Sequence, residues 1–175
     1  MHGLIFASFR DYLVSEHGED VASDVLAAEP LYSGEAYPDE QFLELLERAC
    51  GRTALPLDEI LFEFGVFTAA TTFARLYGAL FKMSPTARDF LLTVETPIHD
   101  VIRKALPDAR PPELAVTDLG EDGLEIVYTS PRRICAMLRG LVEGTGRVYD
   151  QMLRVEELEC MHHGASACRL LIQFR

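Results

Sequence analysis

ELAVTDLGEDGLEIVYTSPRR, running from Glu113 to Arg133, alternates apolar and polar residues on either side of a turn that carries Gly120 and Gly123. That pattern predicts a β-hairpin. Its second arm ends on Tyr128, Ser130 and Arg132, every second residue. In an extended chain these side chains share one face, about 7 Å apart. A phenol, a hydroxyl and a guanidinium in a row suit an anion with more than one oxygen group.

Downstream, PRRICAMLRGLVEGTGRVYDQML places Ile134, Leu138 and Leu141 on one helical face. RVEELECMHHGASACRLLIQFR then reads as a second strand pair around HHGAS. The unit is therefore ββαββ, and its two hairpins can form one four-stranded antiparallel sheet. Upstream of Glu113 the chain reads as helices. GLIFASFRDYLVSEHG and GEDVASDVLAAE come first, then PDEQFLELLERACG with acids in its first turn and Gly51 as its stop. PLDEILFEFGVFTAATTFARLYGALFK is apolar on most sides and reads as one long buried helix. SPTARDFLLTVE opens with Ser84 as N-cap and Pro85 at the first helical position, and TPIHDVIRKALP repeats the device with Thr96 and Pro97. The expected class is α+β in a single domain over 1–175. A helical subdomain covers about 1–83, and a further helix plus the ββαββ unit covers about 84–175, with PDARPPE as the bend between helix and sheet.

Composition narrows the function. The 175 residues are 49% hydrophobic, so a full core is expected. Acids outnumber bases 28 to 16, giving a net charge of −12. That argues against nucleic acid or an anionic membrane as a partner and makes each internal arginine informative. No apolar run approaches the roughly 20 residues of a membrane span. MHGLIFASFRDYL is interrupted early by Arg10 and Asp11, so it reads as a cytosolic start without a signal peptide. No nucleophile elbow, P-loop or paired-acid motif marks an enzyme.

His99 lies three residues after Thr96, near the start of a helix that ends in ALPDARPP. By itself it reads either as an ordinary helix-start histidine or as a ligand reaching from a helix into a pocket. With its surroundings it carries a resemblance. MHGLI, EHGED, FLLTVETPIHDVIRKALPDARPPEL and YTSPR, taken together over essentially the whole chain, resemble the haem nitric oxide/oxygen binding (H-NOX) domains, related to the haem domain of soluble guanylate cyclase. His99 matches the axial histidine of that family, and Tyr128, Ser130 and Arg132 match its Tyr-x-Ser-x-Arg signature, 29 residues further on (128 − 99). Thr96 stands where the family usually has an acid shortly before the histidine.

The resemblance implies haem b between helices and sheet. His99 would be the axial ligand, with Tyr128, Ser130 and Arg132 holding the propionates. Ile5, Phe9, Pro112, Met137 and Leu141 would form the pocket. Met137 matches the position where oxygen-binding members carry a distal tyrosine. An apolar wall there favours nitric oxide and CO over oxygen, which needs a donor; Thr71, Thr72 or Tyr77 could supply one. The implied action is sensing, not catalysis. Release of His99 would signal to a partner such as a histidine kinase, a diguanylate cyclase or phosphodiesterase, or a chemotaxis protein.

Cys160, His163 and Cys168 sit on the last turn, and Cys135 on the helix expected beside it. These soft ligands suit tetrahedral zinc, as some members of the resembled family carry at this end of the fold. Glu157 and His162 compete with His163 for the fourth place. Buried reduced thiols and a Cys160–Cys168 disulfide are the other two readings. The alternative function is a zinc/cysteine redox-sensing or small-ligand module on the same scaffold without haem.

Overall fold

A computed structural model describes residues 1–27, 31–95, 104 and 110–175. Helix α1 (Gly3–His17) packs on α2 (Glu19–Leu26), α3 (Asp39–Thr53) and α4 (Leu57–Phe67). Their apolar faces meet in a core of rings in which Phe6, Phe9, Tyr12, Phe42 and Phe64 are fully buried. Phe9 contacts Phe42 and Phe64 edge to face, at centroid distances of 5.4 and 5.0 Å, the geometry that ring quadrupoles favour.

α3 does not stop at Gly51. It continues to Thr53 and is closed by Ala54 in the left-handed conformation (φ 58°), while the Thr53 hydroxyl donates to the Ala49 carbonyl at 2.8 Å. The expected long helix is also broken. α4 widens into a π-helical turn over Thr68–Phe73, continues as α5 (Ala74–Leu76), turns at Tyr77 and resumes as α6 (Gly78–Met83). Ser8 of α1 explains part of this, because its hydroxyl lies 3.0 Å from that of Thr68 and 2.8 Å from that of Thr72. Buried hydroxyls need such partners. α7 spans Ala87–Thr93, and its N-cap is Thr86, not Ser84: the Thr86 hydroxyl accepts from the Asp89 N–H at 3.2 Å.

The sheet forms as expected from the hairpins. β1 (Glu113–Asp118), β2 (Leu124–Thr129), β3 (Leu153–Glu159) and β4 (Cys168–Phe174) lie in the order β1-β2-β4-β3, all neighbours antiparallel. Leu124, Ile126, Leu170 and Ile172 point from the central strands onto Leu138 and Val142 of α8 (Cys135–Val148). α8 begins two residues after Arg133, which takes a positive φ (51°), so PRR forms a turn instead of the first helical residues.

α8 also joins the two halves through glycines. A Cβ on Gly140 would meet the Phe62 carbonyl oxygen at 2.0 Å, and one on Gly65 the Met137 carbonyl oxygen at 2.3 Å. α4 and α8 therefore touch backbone to backbone. Among the described residues no helix is long and apolar enough to cross a membrane.

Candidate functional site

A cavity of about 240 Å³ lies between the helices and the inner face of the sheet. Leu4 and Ile5 of α1, Ala69 and Phe73 of the π-helical turn, Leu114 of β1, and Met137 and Leu141 of α8 give it apolar walls. One end is polar. Tyr128, Ser130 and Arg132 all line it, and all three are buried: Tyr128 is 3% exposed, Ser130 4%, and the Arg132 side chain 7%.

The three do not share a strand face as the alternation predicts. β2 ends at Thr129, and Ser130 opens the turn instead, its Oγ accepting from the Arg132 N–H at 3.3 Å. They converge because the turn folds the guanidinium back. Arg132 Nη1 donates to the Arg110 carbonyl at 2.6 Å, and Nε lies 2.8 Å from Asp39 Oδ1 as an ion pair without an aligned hydrogen bond. The same Asp39 oxygen takes the Met1 ammonium at 2.7 Å. Burial pushes the Asp39 carboxyl up, but the ammonium and Arg132 outweigh it and hold it below the usual carboxylate range. Burial pushes the Tyr128 phenol up, with the Ser130 hydroxyl partly offsetting it. The phenol therefore stays protonated at neutral pH and can donate.

Of the other residues proposed for the pocket, Ile5, Pro112, Met137 and Leu141 line the cavity. Phe9 does not. It is fully buried in the helical core, one turn of α1 beyond Ile5. His99 lies outside the described residues. Asp39 and Arg110 were not legible as part of the site: one reads as a first-turn helix acid, and the other acts through its carbonyl. An apolar cavity lined at one end by a guanidinium and two hydroxyls suits an apolar ligand bearing carboxylates, which is the chemistry of haem.

The Haem-NO-binding family matches residues 2–157 of the chain. This chain belongs to the Haem-NO-binding family. The family is one of haem-based gas-sensing domains, and the chain shares its fold with solved H-NOX structures. An H-NOX protein from S. oneidensis in the Fe(II)NO ligation state is similar over 100% of this chain and 99% of its own, with TM-score 0.91 at 22% identity. The Fe(II) unliganded H-NOX protein from K. algicida matches at TM-score 0.86 and 20% identity, over 100% and 97%. A T. tengcongensis H-NOX variant matches at 0.88 and 23%, over 100% and 98%. No curated relative matches the chain.

A second cluster lies behind the signature turn. Cys168 pairs with Tyr128 across β4 and β2. Its Sγ is 3.8 Å from that of Cys160, which is 3.6 Å from that of Cys135. All three are buried and unbridged. Burial, then the neighbouring thiols, push the Cys135 thiol far up; burial likewise raises Cys168 although the Met161 N–H donates to its sulfur at 3.3 Å. Unmetallated, Cys135 and Cys168 stay protonated and inert. Glu157, Cys160 and His163 form a second grouping, each with a ligand atom within 4.8 Å of the others. His162 is engaged elsewhere, its Nε2 lying 2.7 Å from the Arg133 carbonyl.

Proposed function

We propose that this chain holds haem b in the cavity, senses nitric oxide, and signals to a partner protein through release of His99. The observation that carries this is the burial of Tyr128, Ser130 and Arg132 at one edge of an apolar slot. Bound haem would supply the ferrous iron that takes the gas. The residues of the chain do the rest. Arg132 and the two hydroxyls hold carboxylates, Met137 and Leu141 exclude water, and His99 is assigned as the axial ligand. Partner classes that fit such an output are a histidine kinase, a diguanylate cyclase or phosphodiesterase, or a chemotaxis protein.

Gas choice follows from the wall. Met137 offers no donor, and of the three hydroxyls that could replace it two are committed. Thr71 donates to the Phe67 carbonyl at 2.5 Å, and Thr72 is bonded to Ser8. Tyr77 lines the cavity, and its hydroxyl has no hydrogen-bond partner among the described residues. The test is the visible spectrum of the reduced, haem-loaded protein. We expect a histidine-bound ferrous spectrum that shifts with nitric oxide and CO but not in air. In His99→Ala that histidine-bound spectrum disappears. A stable oxygen complex would overturn the nitric oxide preference and make Tyr77 the donor. Unchanged spectra in His99→Ala would overturn the role of that histidine.

Zinc is a second, compatible assignment, carried by the thiol spacing. Zinc–sulfur bonds of about 2.3 Å in a tetrahedron put sulfurs roughly 3.8 Å apart, and the two separations here are 3.6 and 3.8 Å. Cys135, Cys160 and Cys168 would be ligands, with Glu157 or His163 as the fourth. Cys160 belongs to both groupings. Metal analysis of protein purified without chelator is expected to give one zinc per chain, and none in Cys160→Ser. Zinc-free wild type would leave three structural thiols.

A further inference from the structure

The start of the chain is built as a fixed seat. The Gly3 N–H donates to the Glu35 carbonyl at 2.7 Å and the Tyr37 N–H to the Met1 carbonyl at 2.9 Å, while His2 bridges Ala36. A Cβ on Gly3 would meet the Tyr32 carbonyl oxygen at 2.0 Å, so only glycine lets these segments close. Residue 2 therefore has one place.

His2 caps α1. Its Nδ1 accepts from the Leu4 N–H at 3.0 Å. A neutral imidazole that accepts at Nδ1 carries its proton on Nε2. Burial and the neighbouring ammonium lower the pKa of His2, which favours this neutral form. Nε2–H is thus a donor of fixed identity, and it has no hydrogen-bond partner among the described residues.

His2 lines the cavity, and its chain neighbour Met1 reaches the polar end. Asp39 Oδ1 touches both the Met1 ammonium at 2.7 Å and Arg132 Nε at 2.8 Å. The start of α1 and the signature turn therefore meet at a single oxygen atom. A free donor lining the same cavity as a guanidinium and two hydroxyls suits an anion with several oxygens.

We propose that His2 is a further ligand-binding residue of this cavity, its Nε2–H donating to a haem carboxylate beside Arg132. This rests on the haem reading above. It means that the carboxylates are held from both sides, by the helical half through α1 and by the sheet half through the β2 turn.

The test separates capping from ligand binding. Asparagine is as good an N-cap as any residue, so His2→Asn keeps the cap, but its side chain is too short to replace Nε2. Haem transfer from the holoprotein to an excess of an apo haem acceptor is timed, alongside thermal unfolding of the haem-free chain. His2→Asn is expected to lose haem about tenfold faster than wild type, the scale of a hydrogen bond to a charged group, with unfolding unchanged. His2→Ala should lose haem as fast and also melt lower, because its cap is gone. With haem dimethyl ester, whose carboxylates are blocked, wild type and His2→Asn should release at the same rate. Release of ordinary haem from His2→Asn within about twofold of wild type, less than such a bond supplies, would overturn the proposal and leave His2 a cap, the haem reading standing. A wild-type chain that takes up no stoichiometric haem would overturn both.

Discussion

Gly140→Leu is expected to cost this chain about 4 kcal/mol or more, a large share of the total when domain stability is typically about 5–15 kcal/mol. The reason is geometric. A Cβ at this position would sit 2.0 Å from the Phe62 carbonyl oxygen and 2.9 Å from the Val66 nitrogen, both backbone atoms of α4. No rotamer change relieves a clash with backbone, so the two helices must separate and take the cavity wall with them. Gly140→Ala should cost less, about 2–3 kcal/mol, because one methyl demands a smaller shift. Gly51→Ala is the control. Gly51 lies inside α3 with nothing within 4 Å of an added Cβ. Alanine there should stabilise by about 0.5–1 kcal/mol through lower chain entropy. Urea unfolding of the three variants gives the order. Gly140→Leu within about 1 kcal/mol of wild type would show that the crossing yields, contrary to close packing.

The second large effect is expected at Arg132. Its side chain is 7% exposed and ties three segments together: Asp39 at the start of α3, the Arg110 carbonyl before β1, and its own turn after β2. Arg132→Ala strands part of the Asp39 charge and leaves that carbonyl without the guanidinium. Breaking a buried pair costs about 3–5 kcal/mol, and the 31% exposure of Asp39 lowers the expectation to about 1–3 kcal/mol in the haem-free chain. Asp39→Ala should cost less on its own, since it leaves Arg132 bonded to Arg110. The double variant should fall short of the sum by about 1 kcal/mol, because the two side chains interact directly. Additivity in urea unfolding would show that they do not. Arg132→Lys should recover little, because an ammonium cannot reproduce the fork that reaches two partners at once.

Much of this architecture was legible from periodicity. Alternation over Leu114–Asp118 and Leu124–Tyr128 marks strands with one buried face, and β2 shows that face in Leu124, Ile126 and Tyr128. What periodicity could not convey was where the regular pattern gives way. The stretch from Leu57 to Lys82 is apolar throughout, and nothing local distinguishes a π-helical turn at Thr68–Phe73 from continuous helix. Phe9 was assigned to the pocket by resemblance, but the rings of Phe42 and Phe64 draw it into the helical core. Asp39 joins the site only through a contact 93 residues away (132 − 39), which spacing along the chain cannot show. His99 lies outside the described residues, so its position adds nothing to either side of this comparison.

The widened turn at Thr68–Phe73 has a consequence for how this wall can change. A π-helical turn holds one residue more than an α-helix needs to cover the same rotation. Losing one residue within it would restore ordinary α-helix and leave the phase of everything after it intact. The flanking elements could then stay in register while Ala69 and Phe73, which face the cavity, were re-aimed. Elsewhere in a packed helix a deletion turns every later side chain by about 100°. Here the chain carries slack that insertions and deletions can use, so the cavity can be reshaped by length as well as by substitution.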